Sequence, residues 1–213
     1  KESLTKIFVS SILISTGVPE LSTTIGLMTA RAFVFYDFAG KKTISFLTIL
    51  PFMVPVTVFA MGVQMVFIKM RLNNTITGVI IAHLICSLPY AVRLLTDGTQ
   101  AVGMRLEEQA RVLGASAFTA FFRISLPMLV PVILSAVSMS YIVSFSQYFL
   151  TLMIGGGNVR TFTIIMVPYL QSGNRNIACI YSAIFLGITL AVFGIFDEIA
   201  KHFTKNNGGD YYS

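Results

Sequence analysis

Charged side chains are scarce in this chain, so the few present mark where chemistry could occur. Glu107, Glu108, Arg111 and Arg123 fall together in EEQARVLGASAFTAFFRISLP, residues 107–127. Glu20 stands alone in the run IFVSSILISTGVPELSTTIGLMTA, and the adjacent Pro19 would open backbone carbonyls beside it. An ionisable group inside an apolar helix is costly unless paired or hydrated. Glu20 is therefore a candidate for contact with a polar solute, against the alternative of a carboxyl protonated or paired with a neighbouring helix. Ser144, Ser146, Gln147 and Tyr148 form a polar break in another apolar run, the kind of backbone tolerated in a membrane where it lines a cavity. His83, in IIAHLICSLPY, reads as a packing histidine. Glu20, His83 and Cys86 are too scattered for a catalytic cluster. Cys86 and Cys179 read as small buried hydrophobes, with neither a disulfide framework nor metal spacing. GKKT at 40–43 is not a nucleotide loop, because the earlier Gly is missing and Lys42 stands where Ser or Thr is required.

The elements that hold these residues follow from composition. Of 213 residues, 55% are hydrophobic and 11% charged, with a mean hydropathy of +0.79. Soluble domains are about 25% charged. The chain lacks the polar surface of a soluble globule and reads as an all-α polytopic membrane bundle. Five segments, roughly 7–30, 43–68, 75–95, 124–154 and 177–200, reach the length of about 20 residues that a helical span needs. Pro51 and Pro55 should kink the second. The first carries eight Ser or Thr. The fourth is too long for one straight span, and SFSQ at 144–147 interrupts it. Ser22, Gly26 and Ala30 on the first segment, and Ala183, Gly187 and Ala191 on the last, are stripes of small residues that let helices approach closely in lipid. They read as packing within the bundle, with a subunit interface as the alternative. The tail 204–213 reads as polar and disordered.

The net charge of +6 fits cytoplasmic loops rich in Lys and Arg, and no nucleic-acid partner is expected. Placing 96–123 in the cytoplasm puts nine Lys and Arg inside and six outside. That orientation leaves Lys1 outside and the C-terminus inside, with 155–176 as an external loop. A start at Lys1 without Met and an odd number of spans imply one further helix before residue 1.

Residues 104–123 are expected to form a cytoplasmic helical hairpin. Leu106, Ala110 and Leu113 share one helical face, while Glu107, Glu108 and Arg111 lie elsewhere. Gly114 can take a backbone conformation closed to other residues, so the chain can turn there. Pro127 falls in the first turn of the next span, where a missing N–H costs nothing.

The spacing of this stretch resembles the EAA motif of binding-protein-dependent ABC importer permeases, which reads E-A-A-x-x-x-G, nine residues, then I-x-L-P. Here Glu108, Gln109, Ala110 and Gly114 are followed after nine residues by Ile124, Ser125, Leu126 and Pro127. Gln109 in place of Ala is the one departure. GLMTARAFV, ILPFMVPVTVFAMG and SFSQYFLTLMIGGGNVRTFTIIMVPYLQSG are similar to further parts of such permeases, in the polyamine, ferric iron, thiamine and phosphonate branch. The resemblance covers essentially all of 3–203.

The resemblance implies a type I importer permease fold and a non-catalytic subunit that forms a translocation pathway. It implies two cytoplasmic ATPase subunits that carry ATP and Mg, a second permease subunit in a homo- or heterodimer, an extracytoplasmic substrate-binding protein landing on 155–176, and a bacterial-type inner membrane. The hairpin would dock in a cleft of the ATPase, with Leu113, Ala115 and Phe118 as its apolar plug. Glu108 and Arg111 would supply orienting ion pairs, Gly114 would be the hinge, and Ala110 belongs to the same coupling set. A spermidine- or putrescine-like solute is the expected cargo, with ferric iron, thiamine or phosphonate as alternatives. Many polyamine-type members carry acidic residues where this chain has Ser146 and Gln147. A self-powered secondary transporter is the alternative class. It would need inverted repeats and an intramembrane charge relay, and only Glu20 points that way.

Overall fold

A computed structural model describes residues 2–208. Every regular element among them is helical. The chain opens with α1 (Glu2–Phe35), a 34-residue helix about 51 Å long at 1.5 Å per residue. Three of its hydroxyls are satisfied locally: Thr16, Thr24 and Thr29 each donate to the carbonyl four residues back. This lets a Ser/Thr-rich helix persist without exposing those donors to lipid.

The segment expected to be one kinked span is two helices, α2 (Lys41–Met53) and α3 (Val56–Lys69), bent by 110°. Pro51 stays inside α2. The break falls at Val54, extended at φ −98°, ψ 128°, because the ring of Pro55 disfavours helical geometry in the residue before it. Gln64 of α3 reaches across and donates to the carbonyl of Met153 at 2.9 Å.

The central helix is α4 (Ile76–Val102), capped by the Thr75 hydroxyl, which accepts from the Gly78 N–H. It packs against α1 and against α7 (Leu126–Phe145). The α1 stripe is used here. Ser22 and Ala30 are fully buried, and a Cβ on Gly26 would lie 3.1 Å from the Cβ of Ala91. A larger residue at 26 would therefore push the helices apart. One apolar core joins Ile14, Val18, Val79 and Ala82 to Leu150 and Ile154, and a second joins Ala30, Ala91, Leu95 and Ala136.

Between α4 and α7 lie α5 (Arg105–Val112), α6 (Ala117–Ala120) and a π-helical turn, Phe121–Ser125. Residues 117–145 form one apolar helical rod. Pro127 falls in the first turn of α7, as expected, but that turn continues the rod from Ala117. Its ring would clash with the carbonyl four residues earlier in a regular helix, and the wider π-turn just before it, with Leu126 N–H bonded to the Phe121 carbonyl, relieves that crowding.

Then follow α8 (Phe149–Gly155), α9 (Phe162–Gln171) and α10 (Arg175–Gly208). The run 124–154 is thus divided between α7 and α8 at the polar break, and 155–176 holds a ten-residue helix. The expected tail is helical from 204 to Gly208, and 209–213 lie outside the described residues. Within the most apolar stretch of α10 no residue is buried, and nothing lies within 4 Å of a Cβ built on Gly187. The Ala183, Gly187 and Ala191 stripe therefore has no partner within the described residues.

By length and composition, three described helices are clearly long and apolar enough to cross a membrane: 76–102, 117–145 and 175–199. The bent α2–α3 pair is a fourth candidate. α1 has the length, but its hydroxyls and Glu20 lower its apolarity. The chain is an all-α, multi-pass membrane bundle.

Candidate functional site

Two features of the bundle carry polar chemistry, the hairpin at one end and a cavity along α1. The hairpin turns at Gly114, whose φ is +94°. Ala115 N–H bonds the Ala110 carbonyl and Gly114 N–H bonds the Arg111 carbonyl, each at 3.0 Å. These are the paired bonds of a Schellman helix end, which needs a left-handed residue at that position. Ser116 then caps α6, accepting from the Thr119 N–H at 3.1 Å.

The outer surface of the hairpin is apolar and bare. Val112 is 87% exposed, Leu113 88% and Phe118 72%. Ala110 and Ala115 are half-buried, while Glu108 and Arg111 are exposed. Among the described residues, neither Glu108 nor Arg111 forms an ion pair within the chain. Both line a shallow concavity with Val112, Ala115 and Ser116.

The inward face of α5 is not its apolar face. Leu106 is 41% exposed, whereas Glu107 is 3% exposed. Both carboxylate oxygens of Glu107 accept from the Arg31 guanidinium of α1, at 2.8 and 3.0 Å. The Ser125 hydroxyl donates to the same carboxylate. The guanidinium carbon lies 5.1 Å from the Phe35 ring centre and 4.5 Å from that of Phe121. Burial pushes the Glu107 carboxyl up, but the hydrogen bonds from Arg31 and Ser125 and the charges of Arg31 and Arg111 outweigh it. The group is held below the usual carboxylate range. Sequence reasoning missed Arg31, Glu107 and Ser125. The available signal was an acid beside the motif's own Glu108 and a single Arg at the end of the small-residue stripe.

The cavity, about 690 Å³, lies between α1, α7, α9 and α10. Ser11, Ser15, Thr16 and Glu20 line its α1 side, and Tyr141, Phe145, Phe162 and Tyr181 contribute aromatic faces. The Phe145 and Phe185 rings stack with centroids 4.9 Å apart. Glu20 is exposed to this space, and no Lys or Arg lines it among the described residues.

Of the polar break, Ser144 approaches that wall, in a small neighbouring pocket that it lines with Ser11, Ser15 and Phe145. Ser144 is buried, its Oγ 3.0 Å from Nδ1 of His83, and Nε2 of His83 lies 2.8 Å from Thr151 Oγ1. Ser146 is exposed and donates to the Val143 carbonyl. The Gln147 carbonyl accepts from Thr151, and Tyr148, half-buried, immediately precedes α8. The structure brings Glu20 to the cavity, and sets Ser144, Ser146, Gln147 and Tyr148 in the fold that ends α7.

The described residues thus form a multi-pass helical bundle with a short, bare helical hairpin between two spans. The family is shown by comparison. The profile of the binding-protein-dependent transport system inner membrane component family matches residues 22–204, and the chain belongs to that family of ABC importer permeases. It is 29% identical over 184 residues to a molybdate/tungstate transport system permease protein of Pyrococcus abyssi, covering 86% of this chain and 73% of that one. It is 29% identical to a ferric transport system permease protein of Actinobacillus pleuropneumoniae, over 84% of this chain and 26% of that longer one. A spermidine/putrescine transport system permease protein of Shigella flexneri is 25% identical, over 89% of this chain and 72% of its own length.

Proposed function

We propose that this permease subunit imports a small hydrophilic cation across a bacterial-type inner membrane, driven by ATP that two separate cytoplasmic ATPase subunits bind with Mg and hydrolyse. A second permease subunit faces the open side of the cavity, and an extracytoplasmic binding protein delivers the solute to the surface formed by 155–176. The bare apolar tip supports the coupling role of the hairpin. Val112, Leu113 and Phe118 present rings and branched chains that water solvates poorly, flanked by the exposed Glu108 and Arg111, which form no ion pair among the described residues. The continuous rod 117–145 would carry hairpin motion to the cavity wall at Val137, Tyr141 and Phe145.

One observation carries the solute class: among the described residues Glu20 is the only carboxylate on the cavity wall, and aromatic faces oppose it with no Lys or Arg lining the space. A carboxylate in a cavity of low dielectric attracts cations, and ring faces attract ammonium groups. This favours an amine-bearing solute of the spermidine or putrescine kind, as the relative in Shigella flexneri is named for. The ferric relative supports a second reading, since a lone carboxylate also suits a metal cation. An oxyanion is disfavoured by the same charge.

The test is uptake by the complete transporter in liposomes, offered radiolabelled spermidine, ferric iron and molybdate in turn. Spermidine uptake that falls about ten-fold or more in Glu20→Gln, with unchanged assembly, supports the reading. Molybdate uptake unaffected by Glu20→Gln would sink it.

A further inference from the structure

We propose that Arg31, Glu107 and Ser125 form a mechanical joint that delivers movement of the hairpin to α1, and along α1 to the cavity wall at Thr16 and Glu20. The inference rests on the reading of the hairpin as the element that couples to the ATPase. The hairpin is joined covalently to α4 through Gly103 and to α7 through the π-turn. α1 has no such connection, because α2 and α3 intervene in the chain.

Its attachment is the Arg31–Glu107 pair. The two bonds use both carboxylate oxygens, so they fix the angle of the pair as well as its distance. Phe35 and Phe121 flank the guanidinium and remove its freedom to swing. Ser125 ties the same carboxylate to the rod of α7. Three elements thus meet at one carboxylate that is 3% exposed. Elsewhere α1 meets α4 through apolar surfaces, such as the core shared by Ile14, Val18, Val79 and Ala82 and the approach of Gly26 to Ala91. Those contacts are not directional, and close-packed helices can slide by an ångström or two. A forked ion pair resists that sliding.

The lever arm is short. Eleven residues of one helix separate Arg31 from Glu20, about 16 Å or three turns. Pro19 lies inside that helix, beside Glu20, and proline is where a helix bends most readily. Movement at Arg31 therefore arrives at the cavity wall. Arg31, Glu107 and Ser125 are positioning residues on this account. They touch neither solute nor ATPase.

The experiment uses the complete transporter in nanodiscs with Cys86 and Cys179 replaced by Ser. Thr16→Cys reports α1 and Ile184→Cys reports the opposite wall on α10, each by its rate of reaction with a water-soluble maleimide. Rates are compared without nucleotide and after trapping with ATP and vanadate. With the joint intact, the Thr16→Cys rate should change by about five-fold or more between the two states. With Arg31→Gln that change should be lost, while Ile184→Cys keeps its own and the ATPase still co-purifies and hydrolyses ATP. The exchange Arg31→Glu with Glu107→Arg should recover part of it.

An undiminished change in Arg31→Gln overturns the proposal, as does a Thr16→Cys rate that never responds to nucleotide. Should Arg31→Gln fail to accumulate in the membrane, Ser125→Ala decides: a reduced response supports the joint and a full response overturns it. Leu113→Asp separates the two ideas, because release of the ATPase is expected from the coupling role alone. If Leu113→Asp keeps the ATPase bound and stimulated, the coupling reading itself fails and the joint falls with it.

Discussion

Thr151 accepts a hydrogen bond from the His83 ring across 2.8 Å. The direction follows from the other side of Thr151, whose hydroxyl proton is donated to the Gln147 carbonyl at 2.7 Å. The ring proton therefore sits on Nε2, and Nδ1 accepts from Ser144. One buried imidazole thus pins α4 to the end of α7 and the start of α8. The polar break in the sequence folds inward to make this pin.

His83→Ala and Ser144→Ala should each destabilise the bundle, by about 1–3 kcal/mol for every buried group left unpaired. Thermal unfolding of the purified permease in detergent measures it. Unchanged melting in both variants would show that the pin contributes nothing.

Gly114→Val should uncouple transport without preventing insertion. Space is not the obstacle, since nothing lies within 4 Å of an added Cβ. The backbone at φ +94° costs a β-branched residue about 1–3 kcal/mol, so the turn opens and the tip is displaced. ATP hydrolysis stimulated by the binding protein in liposomes should drop sharply; wild-type stimulation would remove the hairpin from the coupling role.

Acid should loosen the hairpin. The Glu107 carboxyl is held below its ordinary range in the folded chain, so its contribution is fully present above the unfolded value of about 4.3. It is lost as pH falls through the lower folded value. Hairpin protection in hydrogen exchange should therefore show no Glu107-dependent change between neutral pH and about pH 5 and fall only in stronger acid. Glu107→Gln should abolish that acid limb; a limb that persists in the variant assigns it to another group.

Ser116 and Asn158 are both exposed and should lie on opposite sides of the membrane. In intact cells lacking Cys86 and Cys179, an impermeant maleimide should label Asn158→Cys and spare Ser116→Cys. The reverse pattern would invert the orientation.

The sequence by itself determined the class of molecule and the hairpin. Low charge and long apolar runs leave no soluble alternative, and a Gly at fixed distance after Glu108 and Ala110 encodes a Schellman turn through local φ preference alone. Those signals are local, so no distant residue is needed to read them. Tertiary structure decided which side of α5 is inside. The apolar Leu106 and Leu113 are exposed and the buried residue is Glu107, because a partner 76 residues away makes its charge tolerable. His83 and Ser144 meet across 61 residues, and the sharp bend at Val54 takes α3 to Met153 on α8. A buried polar group is stable only when another element supplies its partner, and helical periodicity carries no record of where that partner will come from.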